Sequence, residues 1–142
     1  MKKLFSLPIL FLSLSSFSFA ASLSTMDKSA ATAELTDKTI TTISAATLNG
    51  KIISDSFTGY FSKDGKTTGK FANKPGDGPQ ADQGSWKVKS DGKVCVTWNH
   101  WNEGKEKCVG FYKLNNALLI VNMNNGFESL VLNSDLKSGN QM

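Results

Sequence analysis

Arginine is absent: all sixteen basic side chains of this 142-residue chain are lysines. The planar guanidinium fork is the group that grips phosphates and guanine edges through two parallel hydrogen bonds. Its absence argues against a nucleic-acid partner. The charge balance argues the same way. The formal net charge is +4, but Lys2 and Lys3 belong to an N-terminal stretch read below as removable. Without them fourteen lysines face twelve acids, a net of only +2, and a sequence pI of 9.1 overstates the basic character. Histidine is also scarce, with His100 as the single imidazole. Structural zinc takes four ligands, and one histidine with two cysteines does not supply them, so neither a metal nor another cofactor is expected. No apolar run reaches the about 20 residues that cross a bilayer, which excludes a stable membrane anchor of helical type.

The beginning of the chain has the composition of an export signal. Met1-Lys2-Lys3 is positive, Leu4 to Leu14 is apolar but broken by serines and Pro8, and Ser18-Phe19-Ala20 offers small residues before Ala21. This order suits cleavage by signal peptidase near Ala20. A periplasmic or secreted bacterial protein of about 120 residues is the expected product, enough for one modest core. No cysteine lies near the cleavage point to carry a lipid.

Cysteine occurs twice, as Cys95 and Cys108. An even count in a chain bound for an oxidising compartment implies a disulfide. Closing a loop with twelve intervening residues contributes roughly 3 kcal/mol in the chain-entropy picture.

Residues 21–37 are rich in Ser, Ala and Thr and read as a tether or a short helix over Ser29 to Asp37. Ser29 is the candidate cap, with Glu34 and Lys38 spaced as an i, i+4 pair. From Lys38 the pattern changes to short strands and tight turns. Thr39 to Ile43 is β-branched throughout. Asn49-Gly50, Asp64-Gly65, Asp91-Gly92 and Asn124-Asn125-Gly126 supply the positive φ that tight hairpin turns demand. Asn73 to Gln83, with Pro75, Gly76, Gly78 and Pro79, is the longest predicted loop. The fold class is therefore all-β, an antiparallel meander over 38–133 closing into a small barrel or sandwich, with 134–142 as a flexible tail. Closure removes the exposed strand edges.

One pairing carries an internal conflict. Placing Cys95 opposite Cys108 sets Val94 against Val109, which is sensible, but Val96 against Lys107. Either the lysine stem lies along an apolar face or a bulge shifts the register.

Candidate sites are few. His100 lies in a polar loop, and no glycine-flanked serine of the nucleophile-elbow kind accompanies it, so nothing assembles a Ser-His hydrolase. No catalytic residue is assigned and an enzyme is not expected. Trp86 and Trp98 fall on alternating apolar positions and read as core. Trp101 sits in Asn99-His100-Trp101-Asn102-Glu103-Gly104. A loop tryptophan among asparagines can stack on a ligand or anchor an interface, or fold back and plug the barrel end. Trp101, His100 and Tyr112 are the candidate contacts for a ligand or partner. Lys63, Lys66, Lys70 and Lys74 form a basic edge, whose usual meaning is protection against edge-to-edge association.

Several features recur together in a recognisable order: Tyr60-Phe61-Ser62-Lys63-Asp64-Gly65-Lys66, Gly84-Ser85-Trp86-Lys87-Val88, Asp91-Gly92-Lys93-Val94-Cys95-Val96-Thr97-Trp98, Glu106-Lys107-Cys108 and Tyr112-Lys113. In this the chain resembles DUF995, a family of small secreted proteobacterial proteins of unknown function, over roughly Thr39 to Leu132. The resemblance implies an exported, disulfide-bearing β domain and no particular activity. The function expected from the sequence is a non-enzymatic binding module of the envelope or the exterior, for a small ligand or a glycan. The alternative is an inhibitor or stress-type protein that docks an envelope protein through the 99–104 loop. A hydrolase assembled from scattered residues comes last.

Overall fold

A computed structural model describes residues 24–43, 47–48, 51–52, 56–72, 78–122 and 126–142. The N-terminal stretch read as an export signal, the turn residues Asn49-Gly50 and Asn124-Asn125, and residues 73–77 of the expected long loop, with Lys74, lie outside the described residues.

Among the described residues, the chain is an antiparallel meander preceded by one α-helix. Helix α1 spans Lys28–Leu35. The strands are β1 Lys38–Thr41, β2 Thr47–Leu48, β3 Lys51–Ile52, β4 Phe57–Phe61, β5 Lys66–Phe71 and β6 Ala81–Val88. They continue with β7 Val94–Trp98, β8 Lys107–Lys113, β9 Ala117–Asn122, β10 Gly126–Leu132 and β11 Leu136–Ser138. Apart from a separate β2–β3 pair, nine strands form one sheet in the order β10-β9-β8-β7-β6-β5-β4-β1-β11. Just beyond β1, the Ile43 N–H donates to Leu130 O of β10 at 2.9 Å, which brings the far sides of the meander together. The sheet thus curls into a nearly closed barrel of β1 and β4 to β10.

At Asp64-Gly65 and Asp91-Gly92 the turns are as the dipeptides predict. Gly65 and Gly92 adopt φ +80° and +81°. Gly92 has a second reason to lack a side chain, since a Cβ there would lie 2.0 Å from Met26 O. These two turns mark one end of the barrel, and the N-terminal segment closes that end. Met26, Ala31 and Leu35 enter one buried cluster with Ile40, Phe61, Trp86, Val94, Phe111, Leu118, Ile120 and Val131. The Met26 N–H bonds Phe111 O at 2.8 Å, and the Trp86 indole N–H bonds Ser62 O at 2.8 Å. Trp86 is therefore core, with its polar tip satisfied.

Four details differ from the sequence reading. The cap of α1 is Asp27, whose carboxylate accepts from the Ala30 N–H at 2.8 Å. Ser29 lies inside the helix. Glu34 pairs with Lys113 at 2.8 Å across the fold, not with Lys38. Strand β6 begins at Ala81, inside the expected loop, because Asp82 has a buried task described below. The expected flexible tail carries β11, which pairs Leu136, Lys137 and Ser138 with Ile40, Thr39 and Lys38. It is held because the buried Thr39 hydroxyl donates to Gly139 O at 2.7 Å and accepts from Gln141 N at 3.0 Å.

The β7–β8 register resolves the lysine conflict. Val94 faces Val109, Cys95 faces Cys108 with Cα atoms 4.0 Å apart, and Val96 faces Lys107, with no bulge between them. The bulge lies elsewhere, between Phe127 and Ser129 of β10. Both cysteines are joined in the disulfide, and no free cysteine remains among the described residues.

Candidate functional site

A cavity of ≈ 320 Å³ lies inside the barrel. Its apolar wall combines Ile40, Phe61, Val94, Phe111 and Ile120 from the middle of the barrel with Phe57, Phe71, Trp98 and Trp101 toward the end opposite α1. Two glycines make this arrangement possible. Gly59 and Gly69 face each other across β4 and β5. A Cβ on Gly59 would stand 2.6 Å from the Phe57 ring, and one on Gly69 would stand 2.6 Å from both Phe57 and Trp98. Bare backbone lets the rings turn inward over the wall.

The four rings form a continuous cluster. Trp101 lies 4.8 Å from Trp98, 5.0 Å from Phe71 and 6.4 Å from Phe57, in tilted or edge-on arrangements. These are the geometries that aromatic quadrupoles favour. The Trp101 indole N–H donates to Pro79 O at 2.7 Å. Trp101 has therefore folded back across the barrel end, the inward of the two options open to it.

Asp82 holds it there. This carboxylate, at the start of β6, is 2% exposed. It accepts from the backbone N–H groups of His100 and Trp101 and of its neighbour Gln83, each at 2.8 Å. The His100 ring adds Nδ1 at 2.9 Å from Oδ1. Burial alone would raise the pKa of Asp82, but these hydrogen bonds outweigh it and bring it down to about 2. An ionised carboxylate only accepts, so His100 Nδ1 carries the proton. Beyond Trp101 the chain reverses through Asn102 and Glu103, at φ +54° and +55°, and Gly104 at +67°. The Asn102 side chain steadies the reversal by donating to Lys105 O at 2.8 Å.

The sequence candidates thus separate. Trp101 lines the cavity. His100 braces the loop from outside, with its side chain 70% exposed, and among the described residues it bonds no hydroxyl or thiol. Tyr112 alternates with Phe111 along β8 and lies outside the cavity lining, in a strand position bridged to Thr25. On the outer face beside the disulfide, Glu106 takes Lys87 at 2.6 Å and Lys89 at 2.7 Å, which lower its pKa. Cys95, Glu106 and Cys108 cluster there, but sulfurs spent in a disulfide are not thiolate ligands.

Sequence reasoning missed the polar part of the cavity. Lys107, facing inward opposite Val96, reaches Glu128 Oε1 at 2.6 Å, and both side chains line the cavity with the hydroxyl-bearing Thr42 and Ser129. The signal for Lys107 was the awkward Val96–Lys107 pairing itself. Glu128 gave none. It sits at the β10 bulge, a device that re-aims one side chain at a barrel rim, and adds a carboxylate to a wall whose alternation already points Ser129 and Val131 inward.

No protein family model, curated protein or solved structure matches this chain. Among the described residues no helix is long and apolar enough to cross a membrane.

Proposed function

We propose that this protein is an exported, non-enzymatic binding module of the bacterial envelope or exterior, which holds one small apolar molecule inside its barrel. The observation that carries this reading is the cavity. Eight-stranded barrels sit at the size where side chains either fill the interior or leave room for one small ligand. Here ≈ 320 Å³ is left, walled by aromatic and branched aliphatic groups. Ligand pockets start at about 300 Å³ and combine such walls with a few placed polar groups. Export is supported by the N-terminal signal pattern and agrees with the disulfide.

The competing readings draw less support from the same residues. Docking of a protein through the 99–104 loop wanted Trp101 as an outward anchor, and its ring is committed to Phe71, Trp98 and Pro79. A hydrolase wants a nucleophile at the free side of the His100 ring, and among the described residues the ring bonds only the Asp82 carboxylate and no hydroxyl or thiol.

Naphthalene is a suitable probe, being apolar and small. It should quench or shift the emission of Trp98 and Trp101, and should raise the melting temperature, because mass action stabilises the native state by about 1.4 kcal/mol at ten times its dissociation constant. Val109→Phe, which places a ring in the cavity, should abolish both effects while the variant stays folded. Wild-type protein that responds in neither way, up to the solubility of naphthalene, would overturn the reading.

A further inference from the structure

We infer that the cavity selects molecules that join an apolar body to a neutral hydrogen-bond donor, a hydroxyl or N–H, which is received by Glu128. This deepens the cavity-binding proposal and rests on it. Three observations support the choice of head group.

First, the carboxylate is half used. Glu128 Oε1 takes the Lys107 ammonium at 2.6 Å, whereas Oε2 is buried and has no hydrogen-bond partner, the one such side-chain atom among the described residues. Leaving a buried acceptor unpaired is costly, and a donor brought by a ligand removes that cost. Second, the local charge is already balanced. An ammonium beside a carboxylate leaves no net attraction for an anion, and an acidic head group would set like charge against Glu128 while still leaving Oε2 unpaired. Third, the carboxylate is placed there by the bulge between Phe127 and Ser129, while the cavity wall around the pair, Val96, Val109 and Phe111 included, is apolar. The remaining polar liners add no charge. The Thr42 hydroxyl already accepts from Phe57 N at 2.9 Å, and Ser129 is neutral. The ligand chemistry is therefore that of an aryl or alkyl alcohol, a phenol or an indole-type N–H compound, rather than a fatty or aromatic acid.

The experiment keeps the body constant and changes the head. Calorimetric titrations compare 2-naphthol, 2-methoxynaphthalene, which lacks the donor, and 2-naphthoate, which is anionic. Wild-type protein should bind 2-naphthol roughly tenfold or more tighter than the methyl ether, the span of a charge-assisted hydrogen bond, and should bind the naphthoate more weakly than either. In Glu128→Gln the preference of naphthol over ether should shrink to within about threefold. In Lys107→Met the carboxylate is left without its counter-ion, and 1-naphthylmethylamine should gain over naphthol. Circular dichroism and the melting curve establish that each variant is folded, and either variant suffices. Equal affinities of naphthol and ether in the wild type, or tightest binding of naphthoate, would overturn the head-group inference and leave the cavity reading standing. Failure of naphthalene and of the whole series would overturn both.

Discussion

Asp82 shows how much a single carboxylate organises. Its two oxygens gather a strand, a loop and an imidazole, and the product is the position of Trp101 over the cavity. The pKa of about 2 gives this a pH signature. A carboxylate depressed below its ordinary value stabilises the fold above that value, and the contribution disappears as pH falls from about 4 toward 2. Asp82→Asn keeps the shape and removes the charge. At neutral pH the variant should be about 2 kcal/mol less stable, the order expected when buried donors lose an ionised acceptor, with red-shifted tryptophan emission as Trp101 loosens. The gap between variant and wild type should then close as pH drops toward 2. Urea unfolding at several pH values reads this directly, and parallel curves for the two proteins would contradict it. The sequence offered no hint of the role, because an aspartate in a Gly- and Pro-rich stretch ordinarily serves turn geometry. His100 drew attention as the rare residue, yet it braces the carboxylate from the solvent side.

Among elements, the β7–β8 pair was the most legible. Alternation in Val94-Cys95-Val96 and the need to set one cysteine against another left two registers open, and the structure adopts the one without a bulge, Lys107 included. The bulge in β10 was not legible, since the one nearby signal, Gly126 at positive φ, reads equally as the end of the preceding turn. Strand β11 was equally hidden, because three residues of ordinary composition find a partner about a hundred positions away. The disulfide belongs to this scale. It ties two strands joined by the loop that carries Trp101, so its loss frees the loop in the unfolded chain more than it alters the native one. Reduction, or paired Cys95→Ala and Cys108→Ala substitutions, should lower stability by roughly 3 kcal/mol, seen as a lower urea midpoint. Naphthalene affinity of the remaining folded protein should change little, since the sulfurs lie on the wall face opposite Val94 and Val96. An unchanged midpoint in reductant would mean that the bridge contributes nothing to stability.

Over the whole molecule, the tightest packing lies toward one end of the barrel and the aromatic rim of the cavity toward the other, with a shared middle layer that includes Phe61, Val94 and Phe111. The α1 end is packed: Leu35, Leu118 and Val131 are at most 1% exposed. The other end keeps a cavity ringed by aromatic groups and one ion pair. The two are joined through β1, which pairs with β4 on one side and β11 on the other before Ile43 reaches Leu130. Truncation after Asp135 tests this division. It removes β11, the partial burial of Leu136 against the core and both hydrogen bonds of the Thr39 hydroxyl. The cost should be about 2–4 kcal/mol, from two hydrogen bonds near 1 kcal/mol each plus modest apolar burial. Because β11 pairs with β1 only at Lys38 to Ile40, of which Ile40 alone lines the cavity, the Lys107–Glu128 end should keep its shape. The truncated protein should therefore unfold at clearly lower urea yet bind naphthalene within about threefold of the full chain, under conditions where both are folded. Affinity that fell in step with stability would mean that β1 transmits strain along the barrel and that the two ends form one cooperative unit.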